Sequence, residues 1–135
     1  MRLRAVAIAA AVLAIPAAAE AGAYVQDGCQ VSVPDNWTRT AQRAASPDKS
    51  VWASVMQAST AAEAIQVEQG LQATKVSEDG RLVMMVSSAS FAGKTNKQFH
   101  AITKSTPSCI ADVTVPAGAG EAQAQAIAAT VQLAH

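Results

Sequence analysis

Apolar and polar residues alternate from Cys29 to Val33, a run bounded by Gly28 and Pro34. That two-residue period belongs to a half-buried strand. It returns over residues 51–58, which places Val51, Ala53 and Val55 on one face and Trp52, Ser54 and Met56 on the other. Strand-like runs at 74–77 and 82–91 flank Glu78-Asp79-Gly80-Arg81, and Asp-Gly between such runs signals a hairpin. Leu82-Val83-Met84-Met85-Val86 is continuously apolar, which predicts a central strand covered on both faces. A turn over 92–96 leads into a strand at 97–103. Ser105-Thr106-Pro107-Ser108 turns the chain again into a strand at 109–115. Pro34-Asp35-Asn36 and Ser46-Pro47-Asp48-Lys49 read as turns, and 38–45 between them fits either a short strand or an irregular crossing.

The period lengthens to a helical one twice. Thr60-Ala61-Ala62-Glu63 has the spacing of a capping box, predicting a helix to about Gln72 that buries Ala64, Val67 and Leu71 with Ile65 beside them. After the flexible Pro116–Gly120 loop, Ala124, Ile127, Val131 and Ala134 recur on one side of a second helix over Glu121 to about Leu133. The expected fold class is α+β: a mostly antiparallel sheet of about five or six strands with two packed helices.

The beginning of the chain stands apart. Arg2 and Arg4 precede an uncharged apolar run from Ala5 to Ile15, and Pro16 and small residues follow. These are the three parts of a secretory signal, with cleavage after Ala19, Ala21 or Ala23. The run is too short to span a membrane, which takes about 20 apolar residues. The expected organisation is a cleaved leader over 1–21 and a single domain over 22–135. Cys29 lies too far beyond the apolar run to carry a lipid anchor.

Taking away Arg2 and Arg4 leaves 8 basic residues against 9 or 10 acidic ones, scattered singly. Without a basic stripe, a nucleic-acid partner is not expected. Apolar content is dominated by Ala and Val, so the core gains less per residue than one of Leu and Phe. Cys29 and Cys109 are the only cysteines. In an oxidising compartment such a pair forms a structural disulfide, worth roughly 4 kcal/mol for a loop of this length. It would bring the starts of two strands to a Cα separation of about 4.4–6.8 Å. A redox pair would be spaced C-x-x-C, and a zinc site needs further ligands.

Candidate chemistry is thin. Gly93-Lys94-Thr95 lacks the earlier glycine of a phosphate loop, since Ser88 stands there. His100 could join Ser87, Ser88 or Ser90 and Asp112 in a nucleophilic triad, but no G-x-S-x-G elbow is present. The pairs Glu63 with Glu68 and Glu78 with Asp79 fit helix-start and turn positions. Met84 and Met85 are neighbours on a strand and point to opposite faces, which suits core packing better than a soft metal. Asn36-Trp37-Thr38 matches a glycosylation sequon, which the bacterial-looking leader makes incidental. Trp37 and Trp52 are the large side chains of a small-residue chain: core anchors first, interface candidates second. No catalytic residue, cofactor or metal is expected.

The run Val31-Ser32-Val33-Pro34-Asp35-Asn36-Trp37, then Ser46-Pro47-Asp48-Lys49-Ser50-Val51, resembles the opening of the Mog1/PsbP-like superfamily. The Gly80-Arg81 hairpin and Ala126-Ile127-Ala128 are similar to its later parts, so the resemblance covers about 24–135. It implies a sheet flanked by helices and a non-enzymatic role. Members include a Ran-binding protein, a photosystem II extrinsic subunit and bacterial envelope proteins. The Cys29–Cys109 pair and the missing lipid-anchor cysteine depart from some bacterial relatives. The expectation is a monomeric periplasmic or secreted accessory protein that binds another envelope or secreted protein. A secreted enzyme inhibitor or host-facing antigen is the alternative.

Overall fold

The computed structural model describes residues 22–134. The expected leader and the terminal His135 lie outside the described residues. Elements follow in the order β1 (Ala23–Gln26), β2 (Cys29–Ser32), β3 (Thr38–Arg39), β4 (Ala44–Ala45), β5 (Trp52–Ala58), α1 (Ala61–Gly70), β6 (Thr74–Glu78) and β7 (Leu82–Phe91). Then come β8 (Lys94–Thr103), β9 (Ser108–Pro116), α2 (Glu121–Ala128) and β10 (Gln132–Leu133).

An antiparallel seven-stranded sheet runs β3-β4-β5-β9-β8-β7-β6, and β1-β2-β10 form a separate three-stranded sheet. The α+β class and the mostly antiparallel sheet are as expected. The six anticipated strands are β2 and β5 to β9, and four strands of two to four residues join them. Two of those four, β1 and β10, draw β2 out of the main sheet into a second layer.

Local chemistry accounts for the turns. Asp27 and Gly28 both take positive φ, as does Gly93 after Ala92, so β1–β2 and β7–β8 are tight two-residue hairpins. The second of these starts β8 at Lys94, three residues before the expected strand. Asp79 accepts from the backbone N–H groups of Arg81 (2.7 Å) and Leu82 (3.0 Å), closing the anticipated β6–β7 hairpin. Asp48 accepts from the hydroxyls of Ser46 and Ser50, each at 2.8 Å, and so builds the Ser-Pro-Asp turn.

The small sheet and α2 cover one face of the large sheet. There Val31, Trp37, Met84, Phe99, Val113, Ala124, Ile127 and Val131 share the main core. The fully buried Ala124 and Ala128 let α2 approach closely, so small side chains cost little packing here. Cys29 and Cys109 are bridged at a Cα separation of 5.8 Å, tying β2 to the middle of the large sheet. The second helix is shorter than expected. Arg81 donates to the carbonyls of Ala129 and Val131, and Thr130 donates to that of Ile127 (2.7 Å). The chain then leaves the helix to pair β10 with β2. Val131 stays buried by that route.

The first helix lies on the opposite face and differs more. Its cap forms: Thr60 Oγ1 accepts from the Glu63 N–H at 3.1 Å, and the Glu63 carboxylate accepts from Ser59 rather than Thr60. Its buried residues are Ala64 and Glu68, while Val67 is 55% and Leu71 64% exposed. Hydrophobicity alone selects the Ala64/Val67/Leu71 stripe. The helix instead seats the smaller one, against Val83, Met85, Ile102 and Ile110, and carries a glutamate inward. Leu71→Lys should therefore leave stability within about 0.5 kcal/mol, whereas Ala64→Leu should cost about 1–3 kcal/mol by overpacking. Paired denaturant melts measure both, and a costly Leu71→Lys would refute the outward orientation.

The strand Leu82–Val86 is covered on both faces as anticipated, with Met84 in one core cluster and Met85 in the other. It is not central, since β7 stands one place in from the β6 edge.

Candidate functional site: a buried Glu-His-Asp cluster

Register defines three transverse rows on the α1 side of the sheet. The lowest, Met56–Ile110–Ile102–Val83, is apolar, and all of it but the exposed Met56 packs in the cluster beneath α1. The middle row reads Ser54–Asp112–His100–Met85, and the upper one Trp52–Thr114–Gln98–Ser87. Glu68, in the last turn of α1, reaches the middle row. The helix ends there, so the upper row has no helix over it.

The polar groups of these rows form one network. His100 is 3% exposed, and its Nδ1 lies 2.6 Å from Asp112 Oδ1 and 3.0 Å from Glu68 Oε2. The Nε2 atom lies 2.8 Å from Ser87 Oγ. Ser87 in turn is 3.5 Å from Gln98 Oε1, and Gln98 donates to Thr114 Oγ1 at 3.1 Å. With the Ser87 hydroxyl donating to Gln98, its oxygen is left to accept from Nε2–H. Burial alone would strip the second proton from the ring. Hydrogen bonds and charge from Asp112 and then Glu68 outweigh it and hold the pKa up to about 9.

The atoms thus have the spacing of a Ser-His-Asp triad without its polarity. A triad histidine must take the serine proton at Nε2. The pKa raised to about 9 favours the imidazolium, in which Nε2 donates instead. Ser87 sits within a paired stretch of β7, opposite Gln98, rather than on a strand-to-helix turn that frees backbone N–H groups for an oxyanion. Ser88 and Ser90 do not approach His100: alternation turns them to the other face, where Ser90 meets Thr95 at 3.0 Å.

Of the sequence candidates, the structure brings together Ser87, His100 and Asp112. The grouping of Glu63 with Glu68 is corrected: Glu63 caps the helix start, whereas Glu68 lies a turn and a half further on and is buried. Glu68 was missed as a site residue because an acidic residue in an amphipathic helix reads as solvated. The available signal was its spacing, three beyond Ile65 and four beyond Ala64. Trp37 is 5% exposed and anchors the main core. Trp52 is half-buried at the end of the upper row, with the Arg43 guanidinium 5.0 Å from its ring centroid. That cation–π contact fixes the ring on the open face. Asp79 remains a turn residue, whereas Glu78 ends β6 opposite Val83, and Lys104 and Lys75 hold its exposed carboxyl down to about 2.

No family model and no curated protein matches this chain. A crystal structure from Bacteroides thetaiotaomicron VPI-5482 superposes on 84% of it with a TM-score of 0.56 and 13% sequence identity. The match takes in 48% of that protein, so the chain spans about half its length. The likeness is one of fold. It supports the α+β architecture and carries no activity with it.

Proposed function

We propose that this chain is an exported, non-enzymatic binding or accessory protein of the cell envelope. Its contact surface is the upper row of the sheet, where Trp52, Gln98 and Ser87 are partly exposed and the buried Thr114 accepts from Gln98. The observation that carries this reading is the partial cover of α1. The helix closes over the apolar row and ends at Gly70, just past Glu68, leaving polar side chains already fixed by mutual hydrogen bonds. A pre-ordered polar surface with an aromatic at its end loses little entropy when a protein docks. The buried disulfide suits an oxidising compartment. No helix among the described residues is long and apolar enough to cross a membrane. The resemblance to the Mog1/PsbP-like superfamily favours the same role. Ser87, embedded in a strand, favours binding over hydrolysis.

A photo-crosslinker placed at Gln98 should capture a discrete envelope protein in cells, and the same probe at Leu71 should not. The adduct should disappear when Trp52→Ala is added. Equal capture from both positions, or none from Gln98, would refute the surface.

A further inference from the structure

We propose that Glu68 Oε2, His100 Nδ1 and Asp112 Oδ1 form a three-ligand site for a divalent transition-metal cation such as Zn2+, a reading independent of the docking surface. These three atoms come from α1, β8 and β9 and lie within 4.8 Å of one another. Two carboxylates approach the same imidazole nitrogen, although one N–H cannot fully satisfy both. Glu68 is the more telling of the two. Its side chain is 4% exposed, and among the described residues the shared Nδ1–H is its only polar partner. Both carboxylates therefore compete for one donor in a largely buried setting, where an unsatisfied polar atom is costly. A divalent cation in place of the Nδ1 proton would give each of them a direct partner.

The geometry is close to that of a metal site. Tetrahedral zinc with bonds of about 2.0–2.2 Å needs donor atoms about 3.3–3.6 Å apart, so the 2.6 and 3.0 Å contacts must open by up to about 1 Å and the two carboxylate oxygens, within 4.8 Å of each other, must close by at most about 1.5 Å. The Asp112 side chain is 24% exposed and can give that movement. It also leaves the fourth position reachable from the open half of the sheet. The other ring nitrogen is already held by Ser87 Oγ at 2.8 Å, the outer hydrogen bond that orients a ligating histidine. One nitrogen and two carboxylate oxygens form a borderline-to-hard donor set, suited to Zn2+ and Mn2+ rather than to Cu(I).

The test uses the purified full chain, stripped with a chelator, and Zn2+ in competition with a chromophoric chelator. One Zn2+ per chain is expected. Glu68→Gln and Asp112→Asn should each weaken binding by at least the roughly 10–100-fold that loss of an outer partner of a metal ligand costs, and Glu78→Gln, a surface carboxylate, should leave it unchanged. Because those core variants could fold poorly, the wild-type chain supplies a second readout. On Zn2+ addition the 15N resonance of His100 Nδ1 should shift far more than that of Nε2. No stoichiometric binding, binding that survives both carboxylate variants when they fold, or a response confined to His135 would overturn the site.

Discussion

Removing the Cys29–Cys109 bridge is expected to lower the melting temperature by on the order of 15–25 °C. The two cysteines are 80 residues apart in sequence, and both are fully buried. In the chain-entropy description, closing a loop of that size is worth about 4.5 kcal/mol. A domain of this length is stabilised by about 5–15 kcal/mol in total, so the bridge supplies a large share. The core makes the share larger. Ala53, Ala101, Ala111, Ala124 and Ala128 occupy central positions, and each offers little apolar area to bury. Because the bridge is fully buried, the comparison is between the native chain and Cys29→Ala/Cys109→Ala in thermal melts. Coincident midpoints would show that the bridge contributes nothing.

His100→Ala is expected to destabilise the metal-free chain by about 3–5 kcal/mol, more than a cavity of that size alone would cost. The added penalty is electrostatic: the substitution leaves Glu68 buried without its cation. The double variant Glu68→Leu/His100→Leu should recover most of the loss, because replacing both partners by apolar groups removes the uncompensated charge. A double-mutant cycle across the pair isolates the coupling. If His100→Leu and Glu68→Leu, the two single variants of that cycle, lose stability additively, the ion-pair account fails. Asp112 will take up part of the difference, since it faces the same nitrogen from a partly solvated position.

Long, strongly patterned segments were legible in the sequence. The six strands β2 and β5 to β9, the Asp79-Gly80 hairpin and the Thr60 cap all follow from period and turn chemistry. The short strands were not. Segments β3 and β4 are two residues each, too brief for a period, and they form only because β5 offers an edge to pair with. The β1–β2 hairpin did carry a signal in Asp27-Gly28, between Tyr24-Val25 and Cys29. The proposed leader just upstream left too short a run for it to read as a strand.

The site divides in the same way. Ser87, His100 and Asp112 could be gathered as candidates by residue type, together with Ser88 and Ser90, both of which alternation turns away from Ser87. Their register could not be read, because it depends on where each hairpin turns. The tight Ala92-Gly93 turn sets Ser87 opposite Gln98 and so within reach of His100. Glu68 was hidden by composition, since the alternative stripe of α1 is more apolar. Trp52 was seen as either anchor or interface, and only the missing helix above its row decides for the open face.

The placement of β1 and β10 has a practical consequence. Both strands flank β2 in the small sheet, on the far side of the large sheet from His100. A tag, fluorophore or surface linkage added beside either strand therefore sits behind the molecule. Tethered that way, the protein turns its Trp52-to-Ser87 row outward.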